Sequence, residues 1–209
     1  LFFTSCSQTE PENLSNEAEV TFTLNIENAI ATRAISDGTG ANQITFAIFN
    51  EDGSEIFTPK TSRTISGNQL LNGVEIKATL VKGNTYKACF WAQNSNCTAY
   101  SISEDMKVTI NYEGLNNDET RDAFFAYTEP FTVDVNPRLR VILKRPFAQI
   151  NVGSTKDDID AITASGVKVS KSEAIIEDIP SELNLFNGNT DKPVNVNYAL
   201  AAMPKEKLY

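Results

Sequence analysis

The chain has 209 residues, of which 41% are hydrophobic and 22% are charged, so it can form one large globular domain or two ordinary ones. Its 27 acidic residues outnumber its 18 basic residues and give a net charge of −9. This balance argues against a nucleic-acid partner, because binding a phosphate backbone requires a cationic surface.

The sequence contains no histidine. Ser-His-Asp and Cys-His nucleophile systems are therefore excluded, as is every zinc site that uses an imidazole ligand. Carboxylate pairs, lysine or tyrosine can still support catalysis, but no motif brings such groups together. We therefore expect a protein that is not an enzyme and uses no cofactor or catalytic metal.

The N-terminal segment 1–6 (LFFTSC) has an apolar run, two small polar residues and a cysteine. It resembles the end of a lipoprotein signal peptide, which predicts Cys6 as the lipidated residue. An ordinary apolar terminus with an incidental cysteine is the alternative. Residues 7–16 are polar and acidic, so we assign 1–18 to a signal-peptide remnant, the lipidated cysteine and a tether. No apolar run reaches the ~18–20 residues of a membrane-spanning helix, so membrane attachment is expected through lipid alone.

Strands are predicted along most of the remaining chain. Residues 19–29 alternate apolar and polar side chains, which is typical of a half-buried strand, and residues 43–49 alternate again before a hairpin turn at Asp52–Gly53. The other predicted strands are 74–81, 86–92, 106–112, 131–135, 139–152, 167–169, 175–176 and 194–203. Turns every 8–12 residues favour β-sandwich architecture over a parallel α/β sheet.

A single short helix is predicted near residues 156–165 (KDDIDAITAS). Acidic side chains lie at its start, where the helix dipole favours them, and Gly166 follows as a C-terminal cap. The fold class is therefore all-β with at most this one short helix.

The turn pair Asn136–Pro137 is the predicted domain boundary. It divides the chain into an N-terminal β-sandwich at 19–136 and a C-terminal β-sandwich at 137–209. The second unit is short for a sandwich and is expected to be incomplete.

Cys89 and Cys97 remain once Cys6 is assigned to lipidation. In an oxidising compartment the two thiols can form a disulfide. The alternative is two free thiols, with Cys89 acting as a small core residue.

Four further stretches, together with Cys6, resemble the fimbrillin-like lipoproteins of Bacteroidales-type bacteria, which include the subunits of type V pili. They are residues 31–38 (ATRAISDG), 86–93 (YKACFWAQ), 121–125 (RDAFF) and 143–152 (LKRPFAQINV). Each motif is weak alone, but their order and spacing are specific. The resemblance implies two β-sandwich domains, the first transthyretin-like, in a lipoprotein at the outer membrane or cell surface. It does not distinguish stalk, tip and anchor subunits.

In that family an arginine-specific protease removes an N-terminal strand, and the groove accepts a strand from the next subunit. The resemblance places the cleavage site at Arg33–Ala34. Residues 1–32 carry five glutamates and no lysine or arginine, and no other cation precedes Lys60. The alternative is an ordinary solvated arginine in a loop. The donor strand comes from the C-terminal part in the family and cannot be placed in this sequence.

Two functions follow from these observations. The first is a structural or adhesive pilus subunit whose partners are the outer membrane through its lipid, other pilus subunits or further copies of itself, and the processing protease. The second is a monomeric surface lipoprotein that binds glycans or host ligands. Trp91 could then stack on a sugar, although a single tryptophan on an apolar strand is more typical of a core.

Overall fold

A computed structural model describes residues 16–26, 40–66, 69–113, 118–148, 154–168 and 170–200. The backbone there is mostly extended, which confirms the all-β class. The strands are β1 (Glu17–Ile26), β2 (Gln43–Asn50), β3 (Ile56–Thr64), β4 (Val74–Val81), β5 (Thr85–Gln93), β6 (Tyr100–Ile102), β7 (Lys107–Ile110), β8 (Ala123–Tyr127), β9 (Phe131–Thr132), β10 (Arg138–Leu143), β11 (Ser172–Asn184) and β12 (Thr190–Leu200).

The predicted helix is present as α2 (Lys156–Ala164). The Thr155 hydroxyl accepts a hydrogen bond from the Asp158 backbone N–H at its start, and Gly166 follows it in the left-handed region at φ +76°. A further helical turn that the sequence did not predict, α1 (Gln69–Asn72), inserts Leu70 into the core. A 3₁₀ turn lies at Glu119–Arg121.

The strands form three sheets. The front sheet has the order β10-β1-β4, with β1 in the centre, parallel to β10 and antiparallel to β4. The central sheet has the order β3-β2-β5-β8, with β9 also paired to β5. The rear sheet has the order β12-β11-β7-β6.

The front core lies between the front and central sheets. Its buried side chains come from alternate positions of β1, β2, β4, β5 and β10, because successive side chains of a strand point to opposite faces. Phe22 of β1 and Phe90 of β5 meet edge to face in it, with ring centroids 5.3 Å apart.

The rear core lies on the other face of the central sheet. Cys89 and Trp91, which alternate with the front-core residues of β5, pack there with Val108 and Ile110 of β7 and with Leu183 of β11. β2 and β5 are therefore buried on both faces, although the sequence predicted the alternation of a half-buried strand for β2.

The sheets do not divide at the predicted boundary. β10, which follows Asn136–Pro137, pairs with β1 in the front sheet, while β6 and β7 pair into the same rear sheet as β11 and β12. The front and rear sheets therefore each contain strands from both predicted units, 19–136 and 137–209. Local sequence patterns do not specify such pairing between distant segments.

Several predicted strand limits also differ. β10 ends at Leu143, close to Pro146, which lacks the N–H that a ladder needs, whereas the prediction continued to 152. Val167 is exposed and lies outside any strand. β3, β6 and β8 were not predicted as strands, and β11 is much longer than the predicted 175–176.

Candidate functional site

The residues around β1 form the candidate functional site, because this strand is the central strand of the front sheet and joins β10 to β4. Thr21–Leu24 of β1 pair with β10 on one side and with β4 on the other. An inner strand of this kind has both rows of backbone hydrogen-bonding groups engaged.

The inward side chains of β1 fill the front core. They are Ala18, Val20, Phe22, Leu24 and Ile26, and none exceeds 5% exposure. Phe22 makes a second edge-to-face contact with Phe131, at 5.6 Å between ring centroids. The alternation that predicted a strand at 19–29 therefore marks a strand that supplies one side of a core.

The outer face of β1 is held by polar contacts. Lys77 of β4 forms an ion pair with Glu19 at 2.8 Å, and Arg138 of β10 contacts Glu75 of β4 at 3.4 Å across β1. Because all four side chains are largely exposed, these ion pairs contribute little to stability. The strand is held mainly by its ladders and by its buried face.

The predicted lipidation and processing residues are not placed by the structure. Cys6 lies in 1–15, and Arg33 and Ala34 lie in 27–39, all outside the described residues. The described chain shows that β1 ends at Ile26, so the predicted cleavage site follows it closely in sequence.

Trp91 is fully buried, which confirms its interpretation as a core residue. Its indole N–H donates to the Gln93 side-chain oxygen at 2.6 Å, and its ring meets Tyr100 edge to face at 5.2 Å. A sugar cannot stack on this ring in the folded protein.

The basic side chains of β10 and of the residues that follow it make separate contacts. Arg138 contacts Glu75, while Arg145 makes two hydrogen bonds to the Asp122 carboxylate, at 2.9 and 3.2 Å, and lies over the Phe124 ring. Arg140 is exposed on the outer face of the front sheet.

Cys89 and Cys97 are buried free thiols, the second of the two alternatives drawn from the sequence. The Cys89 thiol lies in the rear core beside the Ala47 carbonyl. Desolvation by burial raises the pKa of this thiol to about 12.

We expect Cys89 to resist alkylation in the native protein, because burial keeps the thiol protonated and shields its sulfur from the reagent. Iodoacetamide should leave it unlabelled until urea unfolds the chain. Cys89 and Cys97 lie on one tryptic peptide, residues 88–107, whose fragment masses locate each label. Rapid native labelling of Cys89, or a peptide two hydrogens lighter through a disulfide, would contradict the expectation.

No helix within the described part of the chain is both long and apolar enough to cross a membrane. The same residues contain no cluster of three or more metal-ligating side chains. Asp157 and Asp158 lie in the first turn of α2, and Asp160 forms an ion pair with Lys156 at 2.5 Å.

Sequence reasoning did not reveal that β1 is an inner strand or that it runs parallel to β10. Only the apolar alternation of 138–143 could have indicated a partner, and alternation does not specify which strand pairs with which. The open groove between the β2–β3 and β4–β5 turns was missed as well.

Several solved structures share this fold. One is a DUF1812 protein of Bacteroides thetaiotaomicron described as a candidate polysaccharide-binding protein (TM-score 0.61, 12% identity). A second is a candidate adhesin of the same organism (TM-score 0.57, 14% identity), and a third is the fimbrial anchor protein Mfa2 of Porphyromonas gingivalis (TM-score 0.53, 12% identity).

The matches cover 91%, 88% and 87% of this chain and 67%, 61% and 66% of those proteins. The chain thus spans about two thirds of their length. At this level of identity the likeness concerns the fold, and it agrees with the fold implied by the fimbrillin-like resemblance.

No curated protein matches the sequence. A family model described as a family of unknown function, DUF6562, matches residues 11–208. Because the match spans nearly the whole sequence, the chain belongs to the DUF6562 family.

Proposed function

We propose that this protein is a fimbrillin-like, lipid-anchored surface subunit that assembles by strand exchange after proteolysis at Arg33. The observation that carries the proposal is the position of β1. It is an inner strand whose whole apolar face is buried, and the predicted cleavage site follows it.

Loss of β1 would open the front sheet. Because neighbouring strands lie 4.7–4.9 Å apart, β10 and β4 would then face each other across roughly 10 Å with unpaired ladder groups on both sides. The floor of this gap would be the front core, including the Phe90 and Phe131 rings that Phe22 now covers.

Only an extended segment with matching alternation fits such a gap. Its inward positions must be apolar to replace Val20, Phe22, Leu24 and Ile26, and its backbone must pair on both sides. We assign this donor to another copy of the chain or to another pilus subunit.

Other features are compatible with the proposal. Two of the structural neighbours are a candidate adhesin and a fimbrial anchor. Lipidation at Cys6 would attach the precursor to the outer membrane. Arg33 is the only basic residue before Lys60, so an arginine-specific protease would cut this segment at Arg33 alone.

The test uses the full-length mature protein and its Arg33→Ala variant, each treated briefly with an arginine-specific protease. We expect the wild type to acquire a new N-terminus at Ala34 and to form a detergent-resistant, heat-labile ladder. The variant should form no ladder.

A lysine-specific protease is the matched control, since its first possible site follows Lys60 and it cannot release β1 by a cut between β1 and β2. A ladder from Arg33→Ala would refute the assigned site. A wild type that is cut after Arg33 and stays monomeric would refute strand exchange.

The second candidate is a monomeric surface lipoprotein that binds glycans. One neighbour is described as a candidate polysaccharide-binding protein. Because Trp91 is buried, it cannot serve as a stacking surface for a sugar. A sugar site must therefore lie elsewhere on the surface.

A further inference from the structure

A preformed groove lies at one end of the central sheet, between the β2–β3 turn and the β4–β5 turn. We call it the turn groove. It measures about 490 Å³, within the range of small-ligand sites. Its lining residues are Asn50, Glu51, Asp52, Glu55, Phe57, Gly83, Asn84, Thr85 and Tyr86.

Two aromatic rings line this groove. Phe57, at the start of β3, is 44% exposed, and its ring meets the buried Tyr86 ring edge to face at 5.0 Å between centroids. Tyr86 is anchored in turn, because its hydroxyl accepts the Val81 backbone N–H at 3.3 Å. Phe57 thus offers an accessible aromatic surface on a fixed support.

Hydrogen bonds fix the first wall, the β2–β3 turn. The Asn50 side chain donates to the Ser54 hydroxyl at 2.9 Å and accepts from the Glu55 backbone N–H at 3.1 Å. Gly53 lies against the Phe186 ring with no room for a side chain, since an added Cβ would be 2.6 Å from that ring.

Backbone bonds fix the second wall, the β4–β5 turn. The Gly83 N–H donates to the Val133 carbonyl at 2.9 Å, and the Val133 N–H donates to the Asn84 carbonyl at 3.0 Å. A groove with two fixed walls loses little conformational entropy on binding a ligand.

The rim of the groove is acidic. Its nine residues, all of them described, include the carboxylates of Glu51, Asp52 and Glu55 and no lysine or arginine. None of these three carboxylates has an ion-pair partner among the described residues. Hydrogen bonds from Ser54 lower the pKa of Asp52, so it stays ionised at neutral pH.

We propose that the turn groove binds a neutral, hexose-based glycan. The apolar C–H face of a pyranose would cover Phe57, and its hydroxyls would donate to the rim carboxylates and the Asn84 amide. The carboxylates would repel sialylated, sulfated or uronic acid-containing glycans. This site goes beyond strand exchange, because it needs neither cleavage at Arg33 nor a donor strand.

The test is calorimetric titration of the uncut full-length protein with maltohexaose, mannohexaose and cellohexaose. We expect at least one to bind and Phe57→Ala to weaken it by about tenfold or more. Phe57→Trp should retain binding. Val135→Ala is the control, since Val135 is an exposed apolar residue outside the groove.

Three results would overturn the proposal: no binding of any of the three oligosaccharides, binding that Phe57→Ala leaves unchanged, or tighter binding of a sialylated hexasaccharide or a lysine-rich peptide. Because Phe57 and Val135 are exposed, circular dichroism should show folded variants. Failure of ladder formation after proteolysis would leave this result unaffected, so the two proposals fail separately.

Discussion

Truncating Phe22 to alanine is expected to lower the free energy of unfolding by about 3–5 kcal/mol. Phe22 is fully buried and is a β1 side chain with aromatic contacts to both β5 and β9, through Phe90 and Phe131. The change removes these contacts and leaves a cavity between the front and central sheets. Urea denaturation monitored by far-ultraviolet circular dichroism measures the loss.

Thr23→Ala is the matched control, because Thr23 is the next residue of β1 and points to the half-buried outer face. It should cost well under half as much as Phe22→Ala. Equal losses for the two variants, or a loss below about 1 kcal/mol for Phe22→Ala, would contradict the assignment of β1 as the strand that fills the front core.

The free energy that the buried side chains of β1 contribute also determines how tightly a cleaved β1 is retained. Fully burying each of Val20, Phe22, Leu24 and Ile26 contributes about 1.5–3 kcal/mol, so a strand cut after Arg33 should stay bound until a donor displaces it. Phe22→Ala should then weaken retention of the cut segment by about two to three and a half orders of magnitude. Gel filtration of cleaved protein shows whether the segment co-elutes, and immediate loss from the wild type would contradict this.

The sequence predicted the strands that have strong alternation. Val20 to Ile26 and Val74 to Val81 lie in strands close to the expected limits, because each buries alternate side chains against the front core. Local periodicity reports burial on one face, and these two segments have it. Ile44 to Ile48 also lies in a strand where one was predicted, but β2 buries Ala47 and Phe49 against the rear core as well.

Other elements left no such signal. β3 contains Thr58–Pro59–Lys60 and is largely exposed at a sheet edge, so it becomes a strand through its turn and its pairing with β2. The parallel pairing of β1 with β10 joins segments far apart in the chain, which periodicity cannot specify. The turn groove depends likewise on two separate turns lying side by side.

The central sheet packs against a core on each of its two faces, so the sequences of β2 and β5 are apolar at successive positions. Phe90 and Trp91 are adjacent on β5, and they point into the front and rear cores respectively. β5 therefore contacts both the front and the rear core. A continuous apolar run such as CFWA indicates a strand buried on both faces, whereas the alternation in β1 indicates a strand with one buried face.

Trp91→Ala is expected to cost about 3–5 kcal/mol of unfolding free energy, because it empties the rear core between the central and rear sheets. Ring contacts to Tyr100 and Phe147 would be lost together. A surface platform would behave differently, since its truncation leaves stability within about 0.5 kcal/mol. Thermal or urea denaturation distinguishes the two roles directly.

Trp91→Phe separates the hydrogen bond from the packing. This variant keeps an aromatic ring but leaves the side-chain oxygen of Gln93, a residue 7% exposed, without its donor, which should cost about 1–3 kcal/mol beyond the lost ring volume. Gln93→Leu alone leaves the indole N–H of Trp91 without its acceptor. The loss of unfolding free energy in the double variant should therefore be smaller than the sum of the losses in the two single variants. Strict additivity would mean that the 2.6 Å contact contributes nothing, and Trp91 would then stabilise the rear core through its packing alone.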